Sequence, residues 1–434
     1  MRRLRLRASG SRLEDETLQR DRLVVAALAV AGLLPAMIAS CAAADDGNAP
    51  EPSDTVAVPG SDAGDASIDG DLDECAGDAG GERCTTQARS CEESDFCSVD
   101  APVTGHTVLA VWGSAKNDVW AAGTAGKILH FDGTSWTEVP SPTKQTFFTI
   151  WGSSASDVWI ASSRSAIFRG GPYEPGMSAA AWSPVAEIAP PRPSWSPKEA
   201  MMLTLWGSGP DDVWIAGEPY PIDDGLGYAS QWRSRVPTED DASSWTPTGI
   251  GGGTEPTTPP IRGLWGSSKS DVWAVGGGDG LYYSSVSTRG KTYHATELDE
   301  AGSPIWTEVD SQSVPLLFSV WGSSAGDVWA VGNEGTIRHW VTGAKRWDVV
   351  ASPTSEDLRS IWGSGPNDIW AVGAYGTILH YDGTSWQPAT IALPLGSKPD
   401  LSAVWGSGPD DVWAVGKGII LHFTGKKPGA MGNR

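Results

Sequence analysis

Short runs in which apolar and polar residues alternate recur along most of this chain. In residues 358–388 these runs are bounded by turn residues such as Pro366 and the pair Asp382 and Gly383. Alternation over four or five residues is typical of half-buried strands rather than helices. The pattern therefore predicts four strands in this unit, at residues 358–362, 369–372, 377–381 and 385–388.

The turns between these strands carry their own signals. Gly363 and Ser364 are predicted to open the first hairpin, where Asp368 can accept backbone N–H groups. The Asp-Gly pair at 382–383 predicts a tight hairpin between strands three and four. One repeating unit is therefore expected to be a four-stranded antiparallel sheet.

The same unit occurs seven times, marked by Trp-Gly-Ser with an Asp six places and a second Trp eight places after the first Trp. The leading tryptophans are Trp112, Trp151, Trp206, Trp265, Trp321, Trp362 and Trp405. The aspartates are Asp118, Asp157, Asp212, Asp271, Asp327, Asp368 and Asp411. The trailing tryptophans are Trp120, Trp159, Trp214, Trp273, Trp329, Trp370 and Trp413. Leading tryptophans recur every 39 to 59 residues, a period typical of propeller blades.

One small sheet cannot bury both of its faces, so the units must pack against each other. Seven four-stranded units predict an all-β, seven-bladed propeller, and closing the ring removes exposed sheet edges. A third tryptophan series occupies the fourth strand of six repeats, at Trp136, Trp182, Trp245, Trp306, Trp347 and Trp386. Each indole can bury roughly 150–250 Å², so we expect these residues to form the core between blades and not a ligand platform.

The seventh repeat has no fourth-strand tryptophan, so the ring needs a strand from elsewhere. In compact repeats this tryptophan lies 15 residues before the next leading Trp. Counting back from Trp112 reaches the segment from Phe96 to Val99, with Phe96 in the place of the tryptophan. We expect this segment to pair with the last repeat and close the ring.

The segments "GKILHFDGTSW" and "GTILHYDGTSW", which end at Trp136 and Trp386, carry a family resemblance. They resemble the Asp-box turn of sialidase-type repeats, with four residues from Asp to Trp instead of five. The whole unit is similar to the repeats of photosystem II assembly-factor propellers. The chain most resembles WGS-repeat β-propeller lipoproteins of Gram-negative bacteria. In Asp-box families the box is structural, so the resemblance implies a framework role. A sialidase would add a central arginine set, and Arg262 and Tyr282 do not identify one.

The first part of the chain indicates export. An apolar run from Leu23 to Ser40 follows an arginine-rich stretch, as in a bacterial secretion signal. Ile38 to Cys41 resembles a lipobox, which implies cleavage and lipidation at Cys41 and a membrane lipid anchor. Ordinary cleavage or an uncut anchor are the alternatives. Ala42 after this cysteine resembles outer-membrane sorting, with the protein facing the periplasm or the cell surface. The expected divisions are a signal peptide at 1–40, an acidic stalk at 41–95, the propeller at 96–427 and a tail at 428–434.

Charge restricts the possible partners. Residues 42–101 carry 16 acids and two arginines, and few large apolar side chains, which predicts a solvated, largely disordered stalk. The formal net charge of the whole chain is −22. Because phosphate backbones need a basic face, nucleic acid is not an expected partner.

The remaining cysteines predict disulfides and not metal ligands. Cys75, Cys84, Cys91 and Cys97 are an even set in an exported chain, and three pairings are possible. Short loops close most readily, which favours Cys75 with Cys84 and Cys91 with Cys97. Their spacings do not match paired zinc ligands. No metal or cofactor is expected.

No catalytic residues are predicted. Four histidines, His130, His339, His380 and His422, fall at one position on strand three and would be spread around the ring. No HExxH helix or phosphate loop occurs, and the predicted all-β units offer no strand-to-helix turn for a GxSxG elbow. We therefore expect framework histidines and a protein that is not an enzyme.

Recognition is expected where the repeats differ. Repeats two to four carry long segments at 170–181, 189–201, 218–228, 249–260 and 287–304. Exposed Tyr and Trp anchor interfaces, and the candidates in or beside these segments are Tyr173, Trp195, Tyr220, Tyr228, Trp232 and Tyr293. Drift in unconstrained loops is the alternative explanation. The leading hypothesis is a monomeric, non-catalytic envelope lipoprotein that binds a protein or glycan. An envelope assembly scaffold and a glycan-active enzyme are the alternatives.

Overall fold

The described part of the chain is a closed ring of seven antiparallel sheets. The computed structural model describes residues 89–185, 188, 200–221, 228–234, 245–248, 250, 259–277, 289–300 and 304–425. Six sheets have four strands in sequential order and one has five. The prediction of a seven-bladed β-propeller is confirmed. Within these residues, no helix has the length and apolar character needed to span a bilayer.

Blades 1 to 4 follow the chain, with strand one innermost. Blade 1 contains Val108–Ala115, Asp118–Gly123, Ile128–Phe131 and Trp136–Glu138. Blade 2 contains Thr149–Ser154, Asp157–Ala161, Ile167–Gly170 and Trp182–Pro184. Blade 3 contains Met202–Gly209, Asp212–Pro221, Tyr228–Ser234 and Trp245–Pro247. Blade 4 contains Ile261–Ser268, Asp271–Gly277, Gly290–Leu298 and Pro304–Val309.

Blades 5 to 7 complete the ring. Blade 5 contains Leu317–Ser324, Asp327–Gly332, Ile337–Val341 and Asp348–Val350. Blade 6 contains Leu358–Gly365, Asp368–Gly373, Ile378–Tyr381 and Trp386–Pro388. Blade 7 contains Leu401–Gly408, Asp411–Gly416 and Ile419–Phe423, followed outward by Phe96–Ser98 and Ile391–Ala392. Short 3-10 turns occur at Cys91–Glu93, Thr124–Gly126, Ala179–Ala181 and Ala374–Gly376.

Each blade presents its turns at two opposite edges. The turns between strands one and two, and between strands three and four, lie at one edge, which we call the lower face. The turns between strands two and three, and the connections from blade to blade, lie at the other edge, the upper face.

The first hairpin is tighter than predicted. Trp362 lies opposite Trp370, and strand one continues to Gly365, which lies opposite Asp368. A register shift between Gly363 and Gly365 lets the chain turn with only two residues between the strands. The prediction that Gly363 and Ser364 open the hairpin is therefore wrong, because a bulge extends the ladder past the tryptophan pair.

Neighbouring blades are joined by an edge-to-face pair of aromatic rings. The trailing tryptophan of each blade meets the fourth-strand aromatic of the next, at centroid distances of 4.9 to 6.1 Å and interplanar angles of 74° to 86°. The trailing tryptophans are at most 5% exposed. The seven pairs are Trp120–Trp182, Trp159–Trp245, Trp214–Trp306, Trp273–Trp347, Trp329–Trp386, Trp370–Phe96 and Trp413–Trp136.

The leading tryptophan explains the glycine that follows it in the next repeat. In blade 6, a Cβ atom on Gly363 would lie 2.6 Å from Cη2 of Trp321 in blade 5 and 2.8 Å from the Asp368 carbonyl oxygen. The same close approach of an indole occurs in the other blades, at Gly113, Gly152, Gly207, Gly266, Gly322 and Gly406. Because only a residue without a side chain fits there, the Trp-Gly pair is a packing device between blades.

The segment at the start of the described chain closes blade 7, as predicted. Cys97 and Ser98 pair antiparallel with His422 and Leu421. Phe96 is fully buried and pairs in parallel with Ile391 of a short fifth strand that was not predicted. The backbone N–H of Phe96 donates to the Thr390 carbonyl oxygen over 3.0 Å. The closing strand is therefore held on both sides.

The structure also joins Cys91 to Cys97 in a disulfide, which confirms that predicted pair. This bridge lies directly beside the closing strand. The other predicted cysteine pair, Cys75 and Cys84, lies outside the described residues, as do Cys41, the predicted signal peptide and the predicted tail.

Two glycines of the same strand give a matched test of this packing. We expect Gly363→Ala to lower the free energy of unfolding by about 1–3 kcal/mol, because the new Cβ would collide with a rigid indole and with backbone. Gly365→Ala should cost nothing, because no atom lies within 4 Å of the place that its new methyl group would take. Denaturant unfolding of both variants measures the difference. Equal stability of the two variants would contradict the packing role of Gly363.

Candidate functional site

Each blade contains a hydrogen-bonded chain centred on the repeat aspartate. In blade 6 the Ser364 hydroxyl donates to Oδ2 of Asp368, and His380 Nε2 lies 2.7 Å from Oδ1. Trp370 Nε1 also donates to Oδ1, over 3.1 Å. The aspartate therefore links strand one to strand three. The prediction that Asp368 accepts backbone N–H groups in the hairpin is wrong, because its hydrogen bonds come from the side chains of Ser364, Trp370 and His380.

The same arrangement recurs in every blade, with histidine in five and arginine in two. The histidines, 2.6 to 2.7 Å from their aspartates, are His130, His294, His339, His380 and His422. Arg169 and Arg233 take this place in blades 2 and 3, each with Nε 2.5 Å from the aspartate. Four of the histidines stack on the trailing tryptophan of their own blade, with centroids 3.7 to 4.0 Å apart.

This order of groups is structural and not that of a nucleophilic triad. In a triad the histidine lies between the serine and the carboxylate and accepts the serine proton. Here the carboxylate of Asp368 lies between Ser364 and His380, so the hydroxyl donates to an anion and gains no base. The histidine contacts also tie strand three to strand two. These chains support the blades from within.

Four of the aspartates are held ionised. Partial burial opposes ionisation of Asp368, but hydrogen bonds from His380, Ser364 and Trp370 outweigh it and lower the pKa of this carboxyl below its ordinary 3.8. The same balance of burial against histidine and serine hydrogen bonds lowers the pKa of Asp118, Asp271 and Asp411.

Two of the predicted interface residues are buried. Trp232 is 1% exposed in the core between blades 2 and 3, and Tyr293 is 6% exposed in the core between blades 3 and 4. Both lie on strand three of their blades. The interpretation of Trp232 and Tyr293 as surface anchors is wrong, because strand three of each blade places these side chains in the cores between blades. Part of the stretch interpreted as a loop at 287–304 is strand three of blade 4, at Gly290–Leu298. Burial also raises the pKa of the Tyr293 phenol.

Tyr173 has a packing role. Its ring stacks on His130 with centroids 3.8 Å apart, and its edge contacts Trp120 of blade 1. In blade 1 the residue after the histidine, Phe131, covers Trp413 of the preceding blade. Blade 2 has Gly170 at that position, and Tyr173 from the following loop fills the space. This tyrosine replaces a missing core aromatic instead of anchoring a partner.

The other candidates do not form one described surface. Trp195 lies outside the described residues. Tyr220 and Tyr228 lie in strands two and three of blade 3, where only the backbone is described. The segment 170–181 connects strands three and four of blade 2 at the lower face, whereas strand two of blade 3 ends at Pro221 and strand three begins at Tyr228, at the upper face. The backbone of Tyr173 therefore lies on the opposite face from those of Tyr220 and Tyr228.

A cleft of about 650 Å³ opens instead on the upper face of blades 6 and 7. This volume is within the roughly 300–1,000 Å³ typical of ligand sites. Its lining comes from the starts of strands one and from the turns between strands two and three, and includes Asp357, Arg359, Tyr375, Asp400 and Lys417.

Hydrogen bonds across the blade boundary shape this cleft. Arg359 Nη2 of blade 6 donates to Asp400 Oδ2 over 3.1 Å, just before strand one of blade 7. Asp400 Oδ1 accepts the backbone N–H of Tyr375 over 3.0 Å. That hydrogen bond lowers the pKa of Asp400, and partial burial opposes this shift. The positive charges of Arg359 and Lys417 lower the pKa further. The carboxylate is thus a fixed part of the wall.

Tyr375 is the exposed aromatic residue of the cleft. Its side chain is 64% exposed, and its backbone is left-handed, with φ 51°. Such a conformation costs a side-chain-bearing residue about 1–2 kcal/mol. The same turn position holds Ala125 in blade 1 and Glu334 in blade 5, also with positive φ. A large aromatic side chain on a strained turn is a feature that functional sites retain.

Sequence reasoning missed this cleft because it followed repeat length. Blades 6 and 7 are compact, so their turns drew no attention. An alignment of the seven turns would have shown that Tyr375 stands where blades 1 and 5 have Ala125 and Glu334.

The lowered aspartate pKa values predict acid sensitivity with a defined sign. A carboxyl whose pKa is lower in the folded state stabilises the fold above its unfolded pKa, near 3.8, and loses that contribution as pH falls through the folded value. We expect the free energy of unfolding to fall steeply below about pH 4, and Asp368→Asn to reduce that slope. At pH 7 this variant should lose about 1–3 kcal/mol, because charge-assisted hydrogen bonds are removed.

Asp348→Asn, at an exposed position in blade 5, is the matched control. Chemical unfolding between pH 3 and pH 7 compares the variants with the original protein. If both substitutions change the acid slope equally, the repeat aspartates do not have the role described.

Comparison with known proteins shows the fold alone. No protein-family model matches the chain, and no curated protein matches it. Among solved structures, YCF48 from Cyanidioschyzon merolae is 17% identical at a TM-score of 0.51, covering 76% of this chain and 99% of that one. YCF48 bound to D1 peptide is 18% identical at a TM-score of 0.51, and the match covers 78% of this chain and 99% of that one. The WD40 propeller domain of Doa1 is 11% identical at a TM-score of 0.50, and the match covers 73% of this chain and 92% of that one. The chain is therefore similar in architecture to YCF48 and to the WD40 β-propeller of Doa1.

Proposed function

We propose that this propeller is a non-catalytic binding module that takes a segment of a protein partner in the cleft between blades 6 and 7. The observation that carries the proposal is the cleft itself, with Tyr375 held exposed at its rim. Aromatic residues supply much of the contact energy in protein interfaces. A similar fold is known with a bound peptide, in YCF48 with D1 peptide, which supports a protein over a glycan as the occupant.

The repeat network favours binding over catalysis. The serine, aspartate and histidine of each blade are committed to one another within the sheet, as in Ser364, Asp368 and His380. The charged groups of the cleft, Arg359 and Asp400, form a salt bridge across the blade boundary. This arrangement provides shape and fixed charge without an activated nucleophile.

We also propose that the chain is an exported lipoprotein. The apolar run from Leu23 to Ser40, followed by Cys41, is the support from the sequence. The disulfide between Cys91 and Cys97 supports an oxidising compartment, since such bonds persist outside the cytoplasm. Anchored in this way, the propeller would meet partners at the cell envelope.

Replacing Tyr375 by glycine separates binding from folding. Glycine tolerates positive φ, so Tyr375→Gly should leave the fold as stable as before or about 1 kcal/mol more stable. It should remove partner binding, because the exposed ring is lost. Purified propellers would be immobilised and exposed to a solubilised envelope extract, and bound proteins would be quantified by mass spectrometry.

Glu334→Gly is the matched control, at the same turn position in blade 5. Proteins retained by the original propeller and by this control, and lost from Tyr375→Gly, would support the proposal. The same set of proteins on all three baits would contradict it.

Lipidation has a direct chemical test. Metabolic labelling with an alkyne-bearing fatty acid should mark the original chain, and Cys41→Ser should abolish the label because the acceptor thiol is gone. Protease added to whole cells then reports whether the propeller is on the surface. Equal labelling of both chains would contradict lipidation at Cys41.

A further inference from the structure

A β-bulge changes the direction of one side chain in most of the innermost strands. Strand one shifts register three residues before the leading tryptophan in six blades, as between Ile261 and Gly263 in blade 4. A bulge turns a side chain away from the regular alternation of the strand. The residues at this position, in blade order, are Leu109, Phe148, Leu203, Arg262, Phe318, Arg359 and Ser402.

These residues approach the next blade around the ring. The innermost strands of consecutive blades contact each other at every junction. Arg359 of blade 6 binds Asp400 of blade 7, and the Arg262 guanidinium of blade 4 lies 5.5 Å from the ring centre of Phe318 in blade 5. The two arginines are therefore equivalent in position and different in partner.

Arg262 lacks the hydrogen-bond partners that Arg338 has. Its Nε is buried, and no acceptor among the described residues bonds to it. By contrast, the buried guanidinium of Arg338 donates to the carbonyl oxygens of Ser311, Gln312 and Ile337. A partly buried cation whose Nε–H has no acceptor costs folding free energy.

Glu218 is the charged group that acts on this arginine. Burial lowers the pKa of Arg262, and the negative charge of Glu218 opposes that shift. Oε2 of Glu218 accepts the backbone N–H of Met201 over 3.2 Å. Among the described residues, no hydrogen bond joins Glu218 to the guanidinium, so the positive charge is near a negative charge but not paired with it.

We propose that Arg262, held over the ring of Phe318, binds a carboxylate supplied by an Asp or Glu side chain of a partner segment. A guanidinium matches a carboxylate with paired hydrogen bonds, and an aromatic ring beneath it fixes its orientation. This site lies on blades 4 and 5, separate from the cleft of blades 6 and 7. A test can therefore contradict the proposal for one site and leave the proposal for the other unaffected.

The probe is a blocked pentapeptide with a central glutamate, compared with the same peptide carrying glutamine. Binding is followed by NMR through the Nε–H resonance of Arg262, assigned by its loss in Arg262→Met. The glutamate peptide should shift this resonance in a saturable manner, and the glutamine peptide should bind at least ten-fold more weakly. Succinate is titrated in parallel. If succinate binds more tightly than the peptide, the carboxylate comes from a small free acid and not from a partner segment, and the proposal is overturned.

Two variants change affinity in opposite directions. Arg262→Met should weaken binding of the glutamate peptide at least ten-fold, measured by calorimetry, while its melting temperature stays equal to or above that of the original protein. Glu218→Gln should strengthen binding several-fold, because a competing negative charge is removed while the amide oxygen can still accept the Met201 N–H.

Arg338→Met is the control for a structural arginine and should lower the melting temperature by several degrees. If Arg262→Met destabilises the protein as much as this control does, or binds the glutamate peptide as tightly as the original protein, the proposal is overturned.

Discussion

The contact on which the whole propeller depends is the edge-to-face pair between the trailing tryptophan of one blade and the fourth-strand aromatic of the next. It occurs at all seven junctions, and the trailing tryptophan of every pair is almost completely buried. Such pairs contribute about 0.5–1.5 kcal/mol each beyond the area that they bury. The glycine after each leading tryptophan lets the blades approach closely enough for these contacts to form. Ring geometry therefore follows from side-chain packing that repeats with the sequence.

Much of this architecture could be predicted from sequence because its signals are local and periodic. The blade count, the four strands of blade 6 and the use of Phe96 in place of a tryptophan all follow from fixed spacings. The partners of Asp368 could not be predicted in the same way. In blade 6 its histidine lies 12 residues away, whereas the equivalent pair in blade 4 is 23 residues apart. Insertions change that spacing, so only the folded sheet brings the groups together.

The interface prediction failed for a related physical reason. Trp232 and Tyr293 occur in long repeats, and length suggested loops. Both residues instead lie in extended strands, and their side chains face the cores between blades. The two proposed sites, at Tyr375 and Arg262, each combine a feature that costs stability with a side chain of chemistry suited to binding: a left-handed backbone under an exposed ring, and a buried Nε–H without an acceptor among the described residues. The left-handed backbone alone does not mark a site, because Ala125 and Glu334 share it. Sequence composition shows neither feature.

The ring behaves as a single cooperative unit if the strand at Phe96 is an integral part of it. Native-state hydrogen exchange of the Phe96 and Val99 amides tests this most directly, since these groups donate to the Thr390 and Ile420 carbonyl oxygens. With closure integral to the fold, both amides should exchange with the same opening free energy as amides in the central strands of blade 7. Exchange through a local opening of much smaller free energy, with the rest of the ring still protected, would contradict it.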